Sequence, residues 1–519
     1  MIQCEAHFKE TEKLARQIIP ADLAKWLLYH GYYPEQYVLP PPFTIQKFDL
    51  CSEPYFKVSP KKKSKFIPDI SVLETIAFPK SPLTVRAFGI IEPHIYHDLT
   101  FHISREWPTI LDCIFNNNLR IYSYSFPIPV TRTKPGRLGR LRAGRMIYEF
   151  IEMAENDLVG EAHKYKYLFK TDVSNFYATI YTHSIAWALH GKQPARDDRG
   201  YFRLLGSIID KLFQSANDGR TNGIAVGPAI CDLISEVVLA AIDRRCSEIL
   251  TQHNLDFVGA RFKDDYRFLC RSEEDVQIIA RALQKSLGEY NLAINEGKSE
   301  ISNLPEGMFR AWKSSYQHWS LRYERIINYR SFETTLLSVL RIDEQYPGGG
   351  IIDSFLSELT TRKFGLKLDL NESEARKAYS LLLLLKQRRA KSFPSILAIV
   401  EAVLNNYGSY HVFREYVANS LSEMLERLSG EPDENEYDII WTFYFLSVVL
   451  GRADTKLPSS TNQVVRSILT GSQCFHDGQK DSVLFKMITH PAPMNHLLKH
   501  LAVFHRNKTS DAQGNPGQC

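Results

Sequence analysis

Two adjacent acids, Asp264 and Asp265, stand in the stretch Arg261-Phe262-Lys263-Asp264-Asp265-Tyr266-Arg267-Phe268-Leu269, between aromatic and aliphatic flanks. Such flanks suit β-strands, and aspartate favours turns. The pattern predicts a β-hairpin with both acids at or near its tip. Adjacent carboxylates repel, so a partly buried pair calls for a cation, while an exposed pair is only a solvated turn. A third acid, Asp172, closes the strand-like run that begins at Tyr165. An acid at a strand end either caps the next helix or offers a metal ligand on a rigid element.

Three carboxylates form a donor set for hard divalent cations, Mg²⁺ first and Mn²⁺ as the alternative. Converging on two ions roughly 4 Å apart, they would serve phosphoryl transfer. One ion activates a 3′-hydroxyl and the other neutralises a leaving pyrophosphate. The chain also offers groups that handle phosphate. Residues 131–145, TRTKPGRLGRLRAGR, hold six basic side chains, among them Arg137, Arg140, Arg142 and Arg145, and no acid. Glycines there permit close backbone approach, and arginine forks match phosphate oxygens; a solvated basic loop is the alternative. Gly223 to Pro228 reads as a turn opening an amphipathic helix, with Ile230, Leu233, Ile234, Val237, Val238, Ala241 and Ile242 at helical spacing. Backbone at such a turn can face a ligand. Lys298 sits in a turn after Leu292-Ala293-Ile294.

The elements that must position these residues follow from periodicity. Residues 11–30 read as one amphipathic helix, ended by Pro34 and Pro40-Pro41-Pro42. The run Lys61-Lys62-Lys63-Ser64-Lys65 is either solvated or set against a nucleic-acid backbone. His94, His97 and His102 lack metal-ligand spacing and read as structural, as do His183 and His190. A helix follows the arginine-rich stretch, with Met146, Ile147, Phe150, Ile151, Ala154 and Leu158 on one face. Another covers about 274–289, and Asn291 to Ser299 reads as a strand running into a turn. From about 330, helix-length apolar segments alternate with short polar breaks, around 351–361, 373–388, 394–406, 411–428, 437–450, 463–470 and 495–504. They show no strict period, which predicts an irregular αα stack.

Composition bounds the rest. A length of 519 residues allows about two to four domains. A content of 44% hydrophobic and 12% aromatic residues excludes a disordered chain, and a net charge of +4 neither demands nor excludes nucleic acid. Eight scattered cysteines without a CxxC pair argue against zinc and for thiols in a reducing cytoplasm. The charged N-terminus lacks an apolar signal core, and no apolar window is long enough for a membrane span.

In order, FKTDVSNFY resembles motif A of reverse transcriptases, TNGIAVGP motif B, FKDD the YxDD box of motif C, and LAINEGKSE motif D. The segments YPEQYVLPPPF, FGIIEPHIYHDL, YTHSIAWALHGK and NGIAVGP are similar to those of bacterial antiphage (abortive-infection and defence-associated) reverse transcriptases. The resemblance covers about residues 80–310. It implies an α+β right-hand polymerase, with fingers and palm of reverse transcriptase type, followed by an all-α helical-repeat domain. The implied division is an N-terminal extension at 1–80, fingers and palm at 81–320, helical repeats at 330–505 and a flexible tail at 506–519.

By the same resemblance, Asp172, Asp264 and Asp265 are catalytic and bind Mg²⁺ together with the Val173 carbonyl. Tyr177 lies under the incoming sugar and disfavours a 2′-hydroxyl. Gly227, Lys298, Arg137, Arg140 and Arg145 contact nucleotide or phosphate. The implied partners are dNTPs, an RNA template or noncoding RNA, a DNA product and further copies of the chain. Phe262-Lys263 and Ala225-Val226-Gly227 depart from commoner forms of motifs C and B. Lys263 could pair with the acids beside it, meet a primer phosphate or point away, whereas the motif B form, without the Gln of a Pro-Gln-Gly, suits a short fixed template, or none, more than the copying of a long RNA. A tyrosine of the helical region is a candidate protein primer. The alternatives are a catalytically silent RNA-binding scaffold and an intron- or retron-type enzyme.

Overall fold

The computed structural model describes residues 2–35, 38–45, 53–57, 68–81, 84–139, 142–458, 461–470 and 495–501, without the side chains of 142–145, 147 and 463. The basic run at 61–65, Arg140 and the tail at 506–519 lie outside the described residues, as does the side chain of Arg145.

Strands β1 (Glu74–Ser81) and β2 (Thr84–Ile90) form an antiparallel hairpin. Strands β3 (Ile121–Ser123), β4 (Tyr167–Asp172), β5 (Phe257–Phe262), β6 (Asp265–Cys270) and β7 (Glu300–Asn303) form one sheet in the order β3-β5-β6-β4-β7. β3 is parallel to β5 and the other neighbours are antiparallel.

Side chains alternate across a strand, which gives this sheet two buried faces. On one face Phe268 stacks with Phe169 and Tyr266, ring centroids 5.9 and 6.1 Å apart, within the core that the helix Ala229–Thr251 also joins. On the other, Leu168, Val258, Ala260 and Leu269 pack with Met153, Ala154 and Leu158 of the helical run 142–161. The same alternation puts Asp172, Lys170 and Leu168 on one face with Asp265, Arg267 and Leu269, their register partners in turn.

The segment expected as one helix over 11–30 is two helices, Gln3–Ala15 and Pro20–His30. Pro20 lacks the amide a continuous helix would use, and its fixed φ suits a first turn. This segment braces the sheet's surroundings. Trp26 Nε1 donates to the Gly139 carbonyl at 2.7 Å, and the Tyr32 hydroxyl to the Ile91 carbonyl at 2.6 Å. The amide of Ala229, first in its helix, donates to the Gly31 carbonyl at 2.7 Å.

Beyond the sheet the chain is mostly helical. Ile351–Glu358, Glu372–Arg388, Phe393–Asn406, His411–Leu428, Pro432–Tyr444, Gln463–Thr470 and His496–His500 fall on the apolar segments read from the sequence. The region is not wholly α, because β8 (Ile327–Asn328) pairs in parallel with β9 (Leu368–Asp369). The helix Tyr329–Gln345 follows β8 directly and precedes the helices just named. This region closes back on the start of the chain. Trp441 Nε1 donates to the Val38 carbonyl at 3.0 Å, and the Glu436 carboxylate accepts from the Ala77 amide of β1 at 3.0 Å. Among the described residues no helix is long and apolar enough to cross a membrane.

Candidate active site

Asp264 and Asp265 stand at the tip of the β5–β6 hairpin, as the residue pattern predicts. Phe262 pairs with Asp265, so Lys263 and Asp264 are the two loop residues. Lys263 takes φ = +52°, a left-handed conformation uncommon outside glycine. The turn is held from beneath, where Arg261 Nη1 donates to the Lys263 carbonyl at 3.1 Å. Arg261 is completely buried, and Nη2 lies 2.8 Å from Glu236 and 2.7 Å from Asp243, both on the helix Ala229–Thr251. The Tyr266 hydroxyl donates to Asp243 at 2.9 Å, and the Ser125 hydroxyl to Glu236 at 2.8 Å. Burial pushes the Asp243 carboxyl up to about 6, against the pull of Arg261. Glu236 is just as buried, but Arg261 and two serines outweigh burial and leave it below the ordinary carboxylate range.

Asp172, at the end of β4, lies directly across from Asp265, where opposed Cβ atoms are about 5 Å apart. Backbone bonds fix the three acids further. The Val173 amide donates to the Asp264 carbonyl at 3.1 Å, and the Asn295 amide to the Asp172 carbonyl at 2.7 Å. Burial first, and the charge of Asp172 second, push the Asp264 carboxyl up. Burial also pushes Asp265 up, partly offset by Arg267.

This concentration of negative charge is met by cations. Lys298 Nζ sits 2.5 Å from Asp172 Oδ2, and Arg267 Nη2 sits 3.4 Å from Asp265 Oδ2. Among the described residues no three His, Cys, Asp or Glu side chains gather tightly enough to enclose a metal ion. The donor set still fits a hard divalent cation in kind. It consists of oxygen atoms only, on two strand ends and the turn between β5 and β6, and two of its carboxyls carry a burden of burial and like charge that a cation relieves.

The other expected site residues divide. Tyr177 is brought to the site, its hydroxyl donating to Asp232 at 2.5 Å. Lys263 turns its Nζ to the same carboxylate at 3.4 Å. Gly227 lies at φ = +119°, and an added Cβ would come within 2.9 Å of both Phe88 and Pro34. Its loop is stitched on two sides, with the Ile224 amide donating to the Tyr177 carbonyl at 3.0 Å and the Gly89 amide of β2 to the Val226 carbonyl at 2.9 Å. Lys298 is brought in too, by a 3-10 turn over Glu296–Lys298. The strand expected before that turn is a single bridge between Ile294 and Val173, at the end of β4. Arg137 is exposed on a separate turn, its amide donating to the Lys134 carbonyl at 3.1 Å, and no described contact joins it to the acids.

Residue patterns alone missed Asp232, Glu236, Asp243, Arg261 and Arg267. A signal existed for the first three: they are acids in an otherwise apolar helical run, and a buried acid requires a partner.

Residues 129–323 match the family described as reverse transcriptase (RNA-dependent DNA polymerase). The chain therefore carries a reverse transcriptase domain over these residues. No curated protein matches it. Among solved structures, the chain is similar to telomerase from Candida albicans in complex with a TWJ fragment of telomeric RNA, at 11% identity and TM-score 0.30, over 67% of this chain and 64% of that one. It is also similar to apo telomerase from Candida tropicalis, at 10% identity and TM-score 0.32, over 75% of this chain and 70% of that one. The chain thus spans 64% of the first of these relatives, a little under two thirds.

Proposed function

We propose that this protein is a Mg²⁺-dependent reverse transcriptase of antiphage defence, synthesising DNA from dNTPs in the cytoplasm. The observation that carries the catalytic part is the meeting of Asp172, Asp264 and Asp265 at one end of β4 and the β5–β6 hairpin. These three acids, with the Val173 carbonyl, would hold the metal. The chemistry such ions supply is charge neutralisation at an attacking 3′-hydroxyl and at the departing pyrophosphate.

The chain's own groups do the positioning. Tyr177 lies under the deoxyribose, and the Gly227 loop packs against the base pair. Lys298, now on Asp172, turns to the triphosphate when a nucleotide enters, which frees the carboxylate. Arg137, Arg140 and Arg145 belong to a phosphate-binding stretch. The region 330–505 acts as a helical-repeat domain after fingers and palm, and gives the surface for homo-oligomers. The antiphage assignment rests on the motif form NGIAVGP and on the segments YPEQYVLPPPF, FGIIEPHIYHDL and YTHSIAWALHGK. It includes synthesis on a noncoding RNA or without a template, primed by a protein tyrosine.

A second reading has one observation in its favour. Asp172 is already paired with Lys298, as it would be in a silent RNA-binding scaffold. Labelled dNTP, Mg²⁺ and the purified full chain separate the two. Incorporation by wild type and its loss in Asp264→Asn are expected. Equal phage protection by both proteins, with no incorporation by either, would establish the scaffold instead.

A further inference from the structure

Asp232 has no part in the reading above. It is the fourth residue of the helix Ala229–Thr251, 6% exposed, while Ile230, Cys231, Leu233 and Ile234 around it are fully buried. An acid in a first helical turn is favoured by the helix dipole, but that does not account for the side chains set against it. Oδ1 accepts from the Tyr177 hydroxyl at 2.5 Å, and Oδ2 faces Lys263 Nζ at 3.4 Å. These partners come from the segment after β4 and from the hairpin tip beside Asp264. One buried carboxylate therefore joins three segments of the site.

We propose that Asp232 is a positioning residue for sugar selection: it clamps the Tyr177 ring by its hydroxyl and is itself steadied by Lys263, so that the ring stands rigidly against a ribonucleotide 2′-hydroxyl. The inference rests on the placement of Tyr177 under the incoming sugar. The tyrosine backbone is fixed independently, since its carbonyl accepts from the Ile224 amide at 3.0 Å. One flank of the ring is covered by Phe176 in an edge contact, centroids 5.3 Å apart. The ring also packs against the hydrophobic core; its hydroxyl adds a directional restraint on rotation away from the sugar, and a bond to an ionised acceptor is stronger than one to a neutral group. A ring free to rotate would admit the 2′-hydroxyl. Lys263 also gains a reason for its left-handed turn, because the conformation delivers its ammonium group to Asp232.

The test is the ratio of kcat/KM for a dNTP to that for the matching rNTP, measured on the full chain with Mg²⁺. Tyr177→Phe keeps the ring and removes the tie; Asp232→Ala removes the acceptor. Each is expected to lower the ratio about ten-fold, the order of one charged hydrogen bond. The Tyr177 hydroxyl also meets Ser235, so the double variant should fall by less than the sum of the two single changes, which share the bond to Asp232. Asp232→Asn still accepts from the hydroxyl but loses the charge that holds Lys263, and should lie between wild type and Asp232→Ala. It is also the conservative variant should Asp232→Ala fail to fold. An unchanged ratio in folded, active Asp232→Ala or Asp232→Asn, or an additive double variant, overturns the inference alone. A wild type without Asp264-dependent incorporation overturns the polymerase reading and this inference together.

Discussion

Arg261→Met puts a heavy load on the fold around the hairpin. The guanidinium is completely buried and faces two carboxylates, Glu236 and Asp243, only 3% and 2% exposed. Removing one partner of a buried ion pair costs about 3–5 kcal/mol, because the remaining charge stays desolvated. A whole domain is stable by only about 5–15 kcal/mol, so the variant should be near its folding threshold. Asp243 sets the pH dependence. Its carboxyl is already pushed up to about 6 with Arg261 in place, and losing the cation pushes it higher. A raised carboxyl pKa favours the folded state below its unfolded value, and that contribution is lost as pH rises through the folded one. Arg261→Met should therefore be less damaging at pH 5.5 than at pH 8.

The triple variant Arg261→Met, Glu236→Gln, Asp243→Asn carries no buried charge and should regain most of the lost stability. It should not regain dNTP incorporation, because the Lys263 carbonyl still lacks the guanidinium that held it at 3.1 Å. Chemical denaturation at the two pH values, with an incorporation assay on the folded fraction, reads both effects. A loss under about 1 kcal/mol at pH 8, below what a broken buried pair requires, would refute the electrostatic argument. Full incorporation by the triple variant would refute the positioning argument.

Two further outcomes follow from the same charges. Lys298 is 56% exposed, so its pair with Asp172 adds only about 0–1 kcal/mol; Lys298→Ala should leave the melting temperature nearly unchanged and raise the KM for dNTP, and a lowered Tm with unaltered KM would make the lysine structural. Burial pushes the Glu436 carboxyl up to about 7 where it accepts from the Ala77 amide, so its contribution to stability is full below its ordinary pKa and is lost as pH rises through about 7. Melting curves of wild type should then fall between pH 5 and 8 more steeply than those of Glu436→Gln, and parallel curves would contradict it.

What could be read from residue order and what could not divide along a physical line. Asp264, Asp265 and Asp172 were legible because a strand that ends in an acid, and a turn flanked by aromatics, announce themselves within ten residues. The helices after residue 350 were legible for the same local reason. Pro20 was equally local, and its break in the first helical stretch follows from a rule that apolar spacing alone overrides. The helix Tyr329–Gln345 carries Phe332, Leu336, Val339 and Ile342 at helical spacing, but Thr335 stands buried in that stripe and charged residues surround it.

The charge network beneath the hairpin is different in kind. Arg261 reads as an ordinary strand residue until the helix Ala229–Thr251 is laid across the sheet. Glu236 and Asp243 find their partner only because that helix is buried along nearly its whole length. That a helix so apolar carries Asp232, Glu236 and Asp243 is itself the clue, because burying three unpartnered carboxylates would cost more than the domain's stability. Their partners had to exist, and the hairpin supplies them close to its tip, in Lys263 for Asp232 and Arg261 for Glu236 and Asp243. Lys263, the residue that fits its motif least, is therefore accounted for by an acid of the helix rather than by the acids beside it. The hairpin takes its shape from this long-range pairing, and the local sequence decides only that a hairpin forms.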